Sequence, residues 1–114
     1  MESTLRRTWA EIDLDALAHN YRRLRRHIGP DVRFLGVVKA DAYGHGAVQV
    51  ARTLQDLGAD YLAVSSIDEA MELRANGVSM PVLILGHVQL IPGLLQVPAQ
   101  VLRPAGGLGQ RRFQ

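Results

Sequence analysis

A single lysine, Lys39, stands where an apolar run of the sequence ends. It is the only lysine among 13 basic residues. The run before it, 34–38, predicts a strand buried on both faces, as in a parallel sheet. Parallel α/β folds place their chemistry beyond the carboxyl ends of such strands, where this amine would meet a ligand. A partly buried lysine is suited to form a Schiff base, whereas the alternative is a lysine that caps the strand and points into water.

The residues around this lysine form a ten-residue string, Val-Val-Lys-Ala-Asp-Ala-Tyr-Gly-His-Gly, at positions 37–46. The string resembles the pyridoxal-phosphate attachment signature of alanine racemases. The resemblance implies that Lys39 carries the cofactor as an internal aldimine and acts as one of two acid/base groups at the substrate α-carbon. It also implies that the hydroxyl of Tyr43 hydrogen-bonds the cofactor phosphate. The alternative for Tyr43 is an aromatic residue packed at the start of a helix.

Three other stretches, 8–17, 65–70 and 82–87, are similar to the same family. The resemblance implies an α/β fold, a partial (β/α)8 TIM barrel with the N-terminal βα units only, because a whole barrel typically takes ~250 residues. The corresponding domains are 1–87, the N-terminal part of a pyridoxal-phosphate-binding barrel, and 88–114, a divergent tail. In the family the second base is a tyrosine of the partner subunit, and an arginine meets the pyridine nitrogen. Both come later in the chain.

We therefore expect the intact family member to be a homodimer that interconverts L- and D-alanine and supplies D-alanine for the cell wall. This chain alone is expected to be an inactive fragment, and poorly soluble or only partly folded, because three strands of a barrel leave an unpaired edge. Two alternatives stay open. One is a racemase of another amino acid, such as serine, and the other is a non-catalytic pyridoxal-phosphate-binding or pseudogene product.

The elements that would position the lysine follow a βα rhythm. Alternation at 8–12 predicts a half-buried strand that precedes a helix capped by Asp13 and ended by Gly29. The predicted apolar face of that helix consists of Leu14, Leu17, Ala18, Tyr21, Leu24 and Ile28. A second helical stripe runs from 47 to 57, and further buried strands are expected at 59–64 and 81–86. Between these two strands, Ser66 and Glu69 have the spacing of a capping box.

Composition excludes several classes of function. The chain has no cysteine, so neither a disulfide framework nor a thiolate metal site is possible. His45 has no second ligand at a metal spacing, and we interpret it as a packing or supporting residue rather than a base; no metal is expected. The N-terminus lacks a secretory h-region, and no apolar run is long enough to span a membrane. We expect a cytoplasmic protein with no membrane partner, and the family resemblance implies a small amino acid as substrate.

Basic residues cluster near the end of the first helix, at Arg22, Arg23, Arg25, Arg26 and His27. Cations are favoured there by the helix dipole, so a solvated face is the main interpretation. A patch for nucleic-acid phosphates is the alternative, but the net charge of only +2 argues against it, and no nucleic-acid partner is expected.

The tail from Val88 onward has no acidic residue and holds three of the five prolines. Its scattered apolar residues show neither a helical nor an alternating period, and the prolines would interrupt either element. Three explanations stay open: the product of a shifted reading frame, a divergent extension, or a linker or peptide-binding segment.

Overall fold

Three parallel strands with helices between them make up the fold of residues 7–86, which are the residues that the computed structural model describes. The elements in chain order are α1 (Leu14–Ile28), β1 (Leu35–Val37), α2 (Lys39–Tyr43), α3 (Ala47–Asp56), β2 (Tyr61–Val64), α4 (Ile67–Ala75) and β3 (Val82–Ile84). The strands lie in the order β1-β2-β3, and both pairs are parallel. Strand and helix therefore alternate from β1 to β3, as the sequence rhythm predicts.

The core forms where α3 and α4 cover the middle strand. Leu62 and Val64 of β2 are fully buried, as is Leu73 of α4. The side of α3 that faces them is the predicted apolar stripe, with Val50 and Leu54 buried. Burying these side chains removes apolar surface from water, which is the main favourable contribution to the stability of such a layer.

Both predicted helix caps are present. The amide of Ala16 donates to a carboxylate oxygen of Asp13 at 3.0 Å, and the amide of Glu69 donates to the hydroxyl of Ser66 at 3.3 Å. Each bond satisfies one amide that lacks a partner in the first turn of its helix. The starts of α1 and α4 are thus fixed by local sequence.

The predicted strand at 8–12 is wrong. These residues form no strand, and Trp9 within them is 67% exposed. A strand needs a neighbour for its backbone hydrogen bonds, and between residues 7 and 86 the sheet contains only β1, β2 and β3. Alternation of residue types therefore did not suffice to make a strand here.

Three burial predictions also need correction. In β1, predicted to be buried on both faces, Val37 is 43% exposed. Leu24, expected on the apolar face of α1, is 53% exposed. The next residue, Arg25, points to the protein instead, where its guanidinium lies 3.4 Å from Asp60 and donates to the carbonyl of Val32. In β3, predicted as a buried strand, Leu83 is 42% exposed, whereas Val82 and Ile84 on the opposite face of the strand pack against the core.

The predicted tail, 88–114, lies outside the described residues, as does His87. The domain boundary after residue 87 thus stays a prediction. Among the described helices, none has the length and apolar character needed to cross a membrane.

Candidate cofactor-attachment site

Lys39 lies immediately beyond the carboxyl end of β1, where the sequence predicts it. The preceding residue, Val38, is fully buried, and its amide donates to the carbonyl of Ala63 in β2 at 2.9 Å. Lys39 itself is half-buried. The last residue that is hydrogen-bonded into the sheet therefore directly precedes the lysine. The lysine side chain starts where the buried layer ends, at the carboxyl edge of the sheet.

The lysine opens α2, a turn whose left-handed backbone the sequence did not predict. The φ angles of Ala40, Asp41, Ala42 and Tyr43 lie between 52° and 55°. Side chains other than glycine rarely adopt this conformation, which costs roughly 1–2 kcal/mol per residue. Four such residues in succession persist only where surrounding contacts hold them, a condition often found at functional sites. Sequence offered one indirect signal, the glycines at 44 and 46 that let the chain leave the turn.

Asp41 holds the turn from its C-terminal side. Its carboxylate accepts a hydrogen bond from the amide of Ala47, the first residue of α3, at 2.8 Å. Its carbonyl accepts from the amides of Gly44 and Gly46 at 3.1 and 3.0 Å. A carboxylate at a helix N-terminus also interacts favourably with the helix dipole. Asp41 therefore couples the left-handed turn to α3.

Glu69 holds the same turn from its N-terminal side. One oxygen of its carboxylate, Oε2, accepts a hydrogen bond from the amide of Ala40 at 3.1 Å. The other oxygen, Oε1, accepts from the hydroxyl of Ser65, at the end of β2. The capping-box spacing predicts Glu69 only as a helix-start residue. Its contact with the lysine turn crosses 29 positions of sequence, so local pattern could not reveal it.

Tyr43 lies near the lysine amine at the far end of the turn. Its ring centroid is 5.9 Å from Nζ of Lys39, a distance at which a cation and an aromatic face attract each other by about 0.5–1 kcal/mol at an exposed site. The ring is 66% exposed. This exposure does not fit the alternative in which Tyr43 is a packed aromatic, and it leaves the hydroxyl accessible to a ligand.

His45 supports the turn through its ring. Nδ1 lies 2.9 Å from the carbonyl oxygen of Ala42, and since a carbonyl only accepts, Nδ1 carries the proton in this contact. With Val37 and Ala42, the histidine lines a cavity of about 450 Å³ between the turn and α1. This arrangement supports the interpretation of His45 as a supporting residue.

A larger cavity lies away from the lysine. It has a volume of about 860 Å³ and is lined in part by Arg22, Arg25 and Arg26 of α1. Arg25 is engaged by Asp60, which immediately precedes β2, so this arginine contributes to packing at the amino side of the sheet. In parallel α/β folds the reactive side is the opposite, carboxyl side. Across residues 7–86 no group of three metal-ligating side chains occurs.

The donor set at the lysine edge fits pyridoxal phosphate in its chemistry. An aldehyde cofactor needs an amine for covalent attachment, and Lys39 supplies one at the edge of the sheet. Its phosphate needs hydrogen-bond donors, and the exposed phenol of Tyr43 on the same turn supplies one. The two groups are brought together by the left-handed turn.

Comparisons with known proteins agree with this chemistry. A family model described as the N-terminal domain of alanine racemase matches residues 12–103. Alanine racemase 2 of Caldanaerobacter subterraneus subsp. tengcongensis is 50% identical over 90 residues, which cover 79% of this chain and 23% of the relative. The solved alanine racemase of Clostridium difficile 630 superposes with a TM-score of 0.70 at 49% identity, covering 72% of this chain and 22% of that one.

A further solved structure is that of the Bartonella henselae alanine racemase with covalently bound pyridoxal phosphate. It matches with a TM-score of 0.54 at 39% identity, covering 63% of this chain and 20% of that one. The chain thus spans less than a quarter of the length of these relatives. Together with the parallel βα units, the matches confirm the predicted fold class, the N-terminal βα units of a TIM barrel.

Proposed function

The chain belongs to the alanine racemases, a family of pyridoxal-phosphate-dependent isomerases, and from this we propose that residues 7–86 form the cofactor-attachment part of an alanine racemase active site. The observation that carries the proposal is the position of the chain's only lysine. Lys39 stands half-buried at the carboxyl edge of a parallel sheet, on a turn that also presents Tyr43.

Pyridoxal phosphate, when bound, supplies the electron sink that allows an amino acid to lose its α-proton. In our proposal the Nζ of Lys39 would hold the cofactor until the substrate amine takes its place, and the freed lysine amine would then exchange a proton at the substrate α-carbon from one face. The hydroxyl of Tyr43 donates to the phosphate and keeps the cofactor in register with the lysine. The buried Val38 and the hydrogen-bonded turn restrict the lysine backbone, which limits the positions that the amine can reach.

We further propose that the complete site interconverts L- and D-alanine and supplies D-alanine for the cell wall in the cytoplasm. Racemisation needs a second proton-transfer group on the opposite face of the substrate. The family resemblance assigns this group to a partner subunit, which supports a homodimer. Because the chain spans about 23% of the curated relative's length, we expect the chain on its own to bind the cofactor without racemising alanine.

Trapping of the cofactor tests the assignment of Lys39. The chain is incubated with pyridoxal phosphate and reduced with borohydride, which converts cofactor attached to an amine into a stable secondary amine. Peptide mass mapping is expected to place the added mass on the peptide that contains Lys39. The chain's α-amino group is the competing amine, and the map distinguishes the two sites. Addition to the α-amino group alone would refute the proposal.

Two variants sharpen this experiment. Lys39→Arg keeps the positive charge but cannot attach the aldehyde, so the adduct should disappear. Tyr43→Phe keeps the ring and removes the hydroxyl, so attachment should persist. The free energy of cofactor binding should weaken by roughly 1.5–3 kcal/mol, the contribution of one hydrogen bond to a charged group. Unchanged affinity in Tyr43→Phe would remove Tyr43 from the site.

Activity assays on a complete homologue that carries this segment separate the remaining alternatives. Interconversion of L- and D-alanine supports the proposal, whereas a preference for serine supports the racemase of another amino acid. Attachment at Lys39 without racemisation of either amino acid in the complete protein would support a non-catalytic pyridoxal-phosphate-binding protein.

A further inference from the structure

Glu69 connects the lysine turn to the neighbouring βα unit. Its carboxylate accepts hydrogen bonds from the amide of Ala40 and from the hydroxyl of Ser65. The first of these groups follows Lys39 directly, and the second lies just beyond β2. The glutamate itself is half-buried in the first turn of α4.

The amide of Ala40 belongs to the peptide unit that joins it to Lys39. Because a peptide unit is planar, a hydrogen bond that fixes the amide also fixes the orientation of the Lys39 carbonyl. Ala40 is also the first of the left-handed residues, with φ of 52° and ψ of 48°. A single acceptor at this amide therefore acts where the left-handed conformation begins.

The glutamate is held in place independently of the lysine turn. Its backbone amide donates to the hydroxyl of Ser66, the cap of α4. The next residue, Ala70, is fully buried against the core. The carboxylate is therefore presented from a fixed helix start, and Ser65 binds the oxygen that Ala40 does not use.

We propose that Glu69 is a positioning residue for Lys39. By holding the Lys39–Ala40 peptide, it directs the lysine side chain along the carboxyl edge of the sheet. This inference rests on the proposed function, because the direction of the lysine side chain matters for the attachment of pyridoxal phosphate. Glu69 does not touch the reacting atoms. Its effect passes through the backbone of the turn.

The variants that test this role use the full chain. Glu69→Ala removes both acceptor oxygens, whereas Glu69→Gln keeps a carbonyl oxygen for the Ala40 amide and offers an amide to the Ser65 hydroxyl, which can rotate to accept. Glu72→Ala is the matched control, because Glu72 is an exposed carboxylate on the same helix. Circular dichroism at a fixed temperature establishes that each variant is folded to the same extent.

Two readouts report the role, and the first requires no cofactor. Amide hydrogen exchange at Ala40 is expected to accelerate by about 10-fold to 100-fold in Glu69→Ala, the factor that a hydrogen bond to a charged acceptor contributes. The second is the apparent Kd for pyridoxal phosphate, measured by borohydride-trapped mass at Lys39, which should rise by about 10-fold or more for the same reason. Glu69→Gln keeps the acceptor but loses its charge, so its change in both readouts should be smaller than that of Glu69→Ala. Glu72→Ala should stay close to wild type in both.

A purely structural role would lower the unfolding midpoint of Glu69→Ala and leave the cofactor Kd of the folded molecules unchanged, and that result overturns the inference. The inference is also overturned if the Ala40 amide of Glu69→Ala exchanges at the wild-type rate. If the wild-type chain forms no adduct at Lys39, the proposed function is refuted, and with it the positioning role. If wild type forms the adduct and Glu69→Ala matches it in affinity, only the inference about Glu69 fails.

Discussion

Asp41 is expected to set the stability of the lysine turn and of α3 together, and Asp41→Ala tests this directly. The carboxylate accepts from the amide of Ala47 at 2.8 Å, at the start of a ten-residue helix. Asp41 also has a φ of 55°, in the left-handed region. Aspartate tolerates that region better than alanine, because its short polar side chain can bond locally. The substitution therefore removes a cap and adds backbone strain at one position.

The expected magnitude follows mainly from the lost cap and the lost charge, to which the backbone strain adds. Loss of a capping acceptor destabilises a helix by about 0.5–2 kcal/mol, and loss of a charge near the helix N-terminus by about 0.3–1 kcal/mol. We expect Asp41→Ala to lower the free energy of unfolding by about 1–3 kcal/mol. Asp41→Asn keeps an acceptor oxygen and tolerates the left-handed region, so it should lose only the charge, about 0.3–1 kcal/mol.

Urea unfolding of the full chain, followed by far-ultraviolet circular dichroism, measures these differences. An osmolyte is added to every sample because it strengthens apolar burial in a sheet with an unpaired edge. With a slope of about 1 kcal/mol/M for a small protein, Asp41→Ala should shift the midpoint by about 1–3 M and Asp41→Asn by less than about 1 M. Asp56→Ala is the control, since Asp56 is an exposed carboxylate at the opposite end of α3.

Two results would contradict this reasoning. If Asp41→Ala unfolds at the same urea concentration as Asp56→Ala, the bond to Ala47 contributes nothing to stability. If Asp41→Asn loses as much as Asp41→Ala, charge alone is responsible, and neither the acceptor geometry nor the left-handed backbone matters. Amide exchange at Ala47 gives an independent check, with protection lost in Asp41→Ala and retained in Asp41→Asn.

Two further substitutions test the packing that supports the site. In Gly36→Ala the new Cβ would lie 2.6 Å from Cδ1 of Leu54. We therefore expect overpacking to destabilise the fold by about 1–3 kcal/mol in thermal unfolding. An unchanged unfolding midpoint would show that the buried leucine moves aside freely. Burial lowers the pKa of the Arg74 guanidinium, which nevertheless stays charged at neutral pH and donates to the carbonyls of Val78 and Met80. Arg74→Met keeps the apolar stem but leaves these carbonyls without that donor, which should lower the free energy of unfolding by about 1–3 kcal/mol. Wild-type stability in urea would show that water replaces the lost donor.

The position of the lysine was predictable from the sequence because it depends on local chemistry. An apolar run is favoured inside the layer, and its first charged residue is favoured at the boundary. The caps Asp13 and Ser66 were predictable for the same reason, since their acceptors serve amides three residues away. The apolar run and the two caps can each be recognised from residues that are close together in the sequence.

The strand predicted at 8–12 shows the limit of such signals. Alternation describes how a segment would sit in a sheet, but a strand forms only where a neighbour supplies backbone partners. The exposure of Leu83 has the same origin, because the burial of a strand face depends on what packs against it. No pattern inside a segment reports the presence of its neighbours.

The sequence by itself therefore determined the βα order, the helix starts and the placement of Lys39 at the end of β1. Only the tertiary structure decided how the lysine is held. The four left-handed residues are unfavourable locally, and they persist because contacts surround them, among them the bond from Ala40 to Glu69, 29 positions away. Such strain is stabilised by distant partners, and it is visible only when the neighbouring βα units lie side by side.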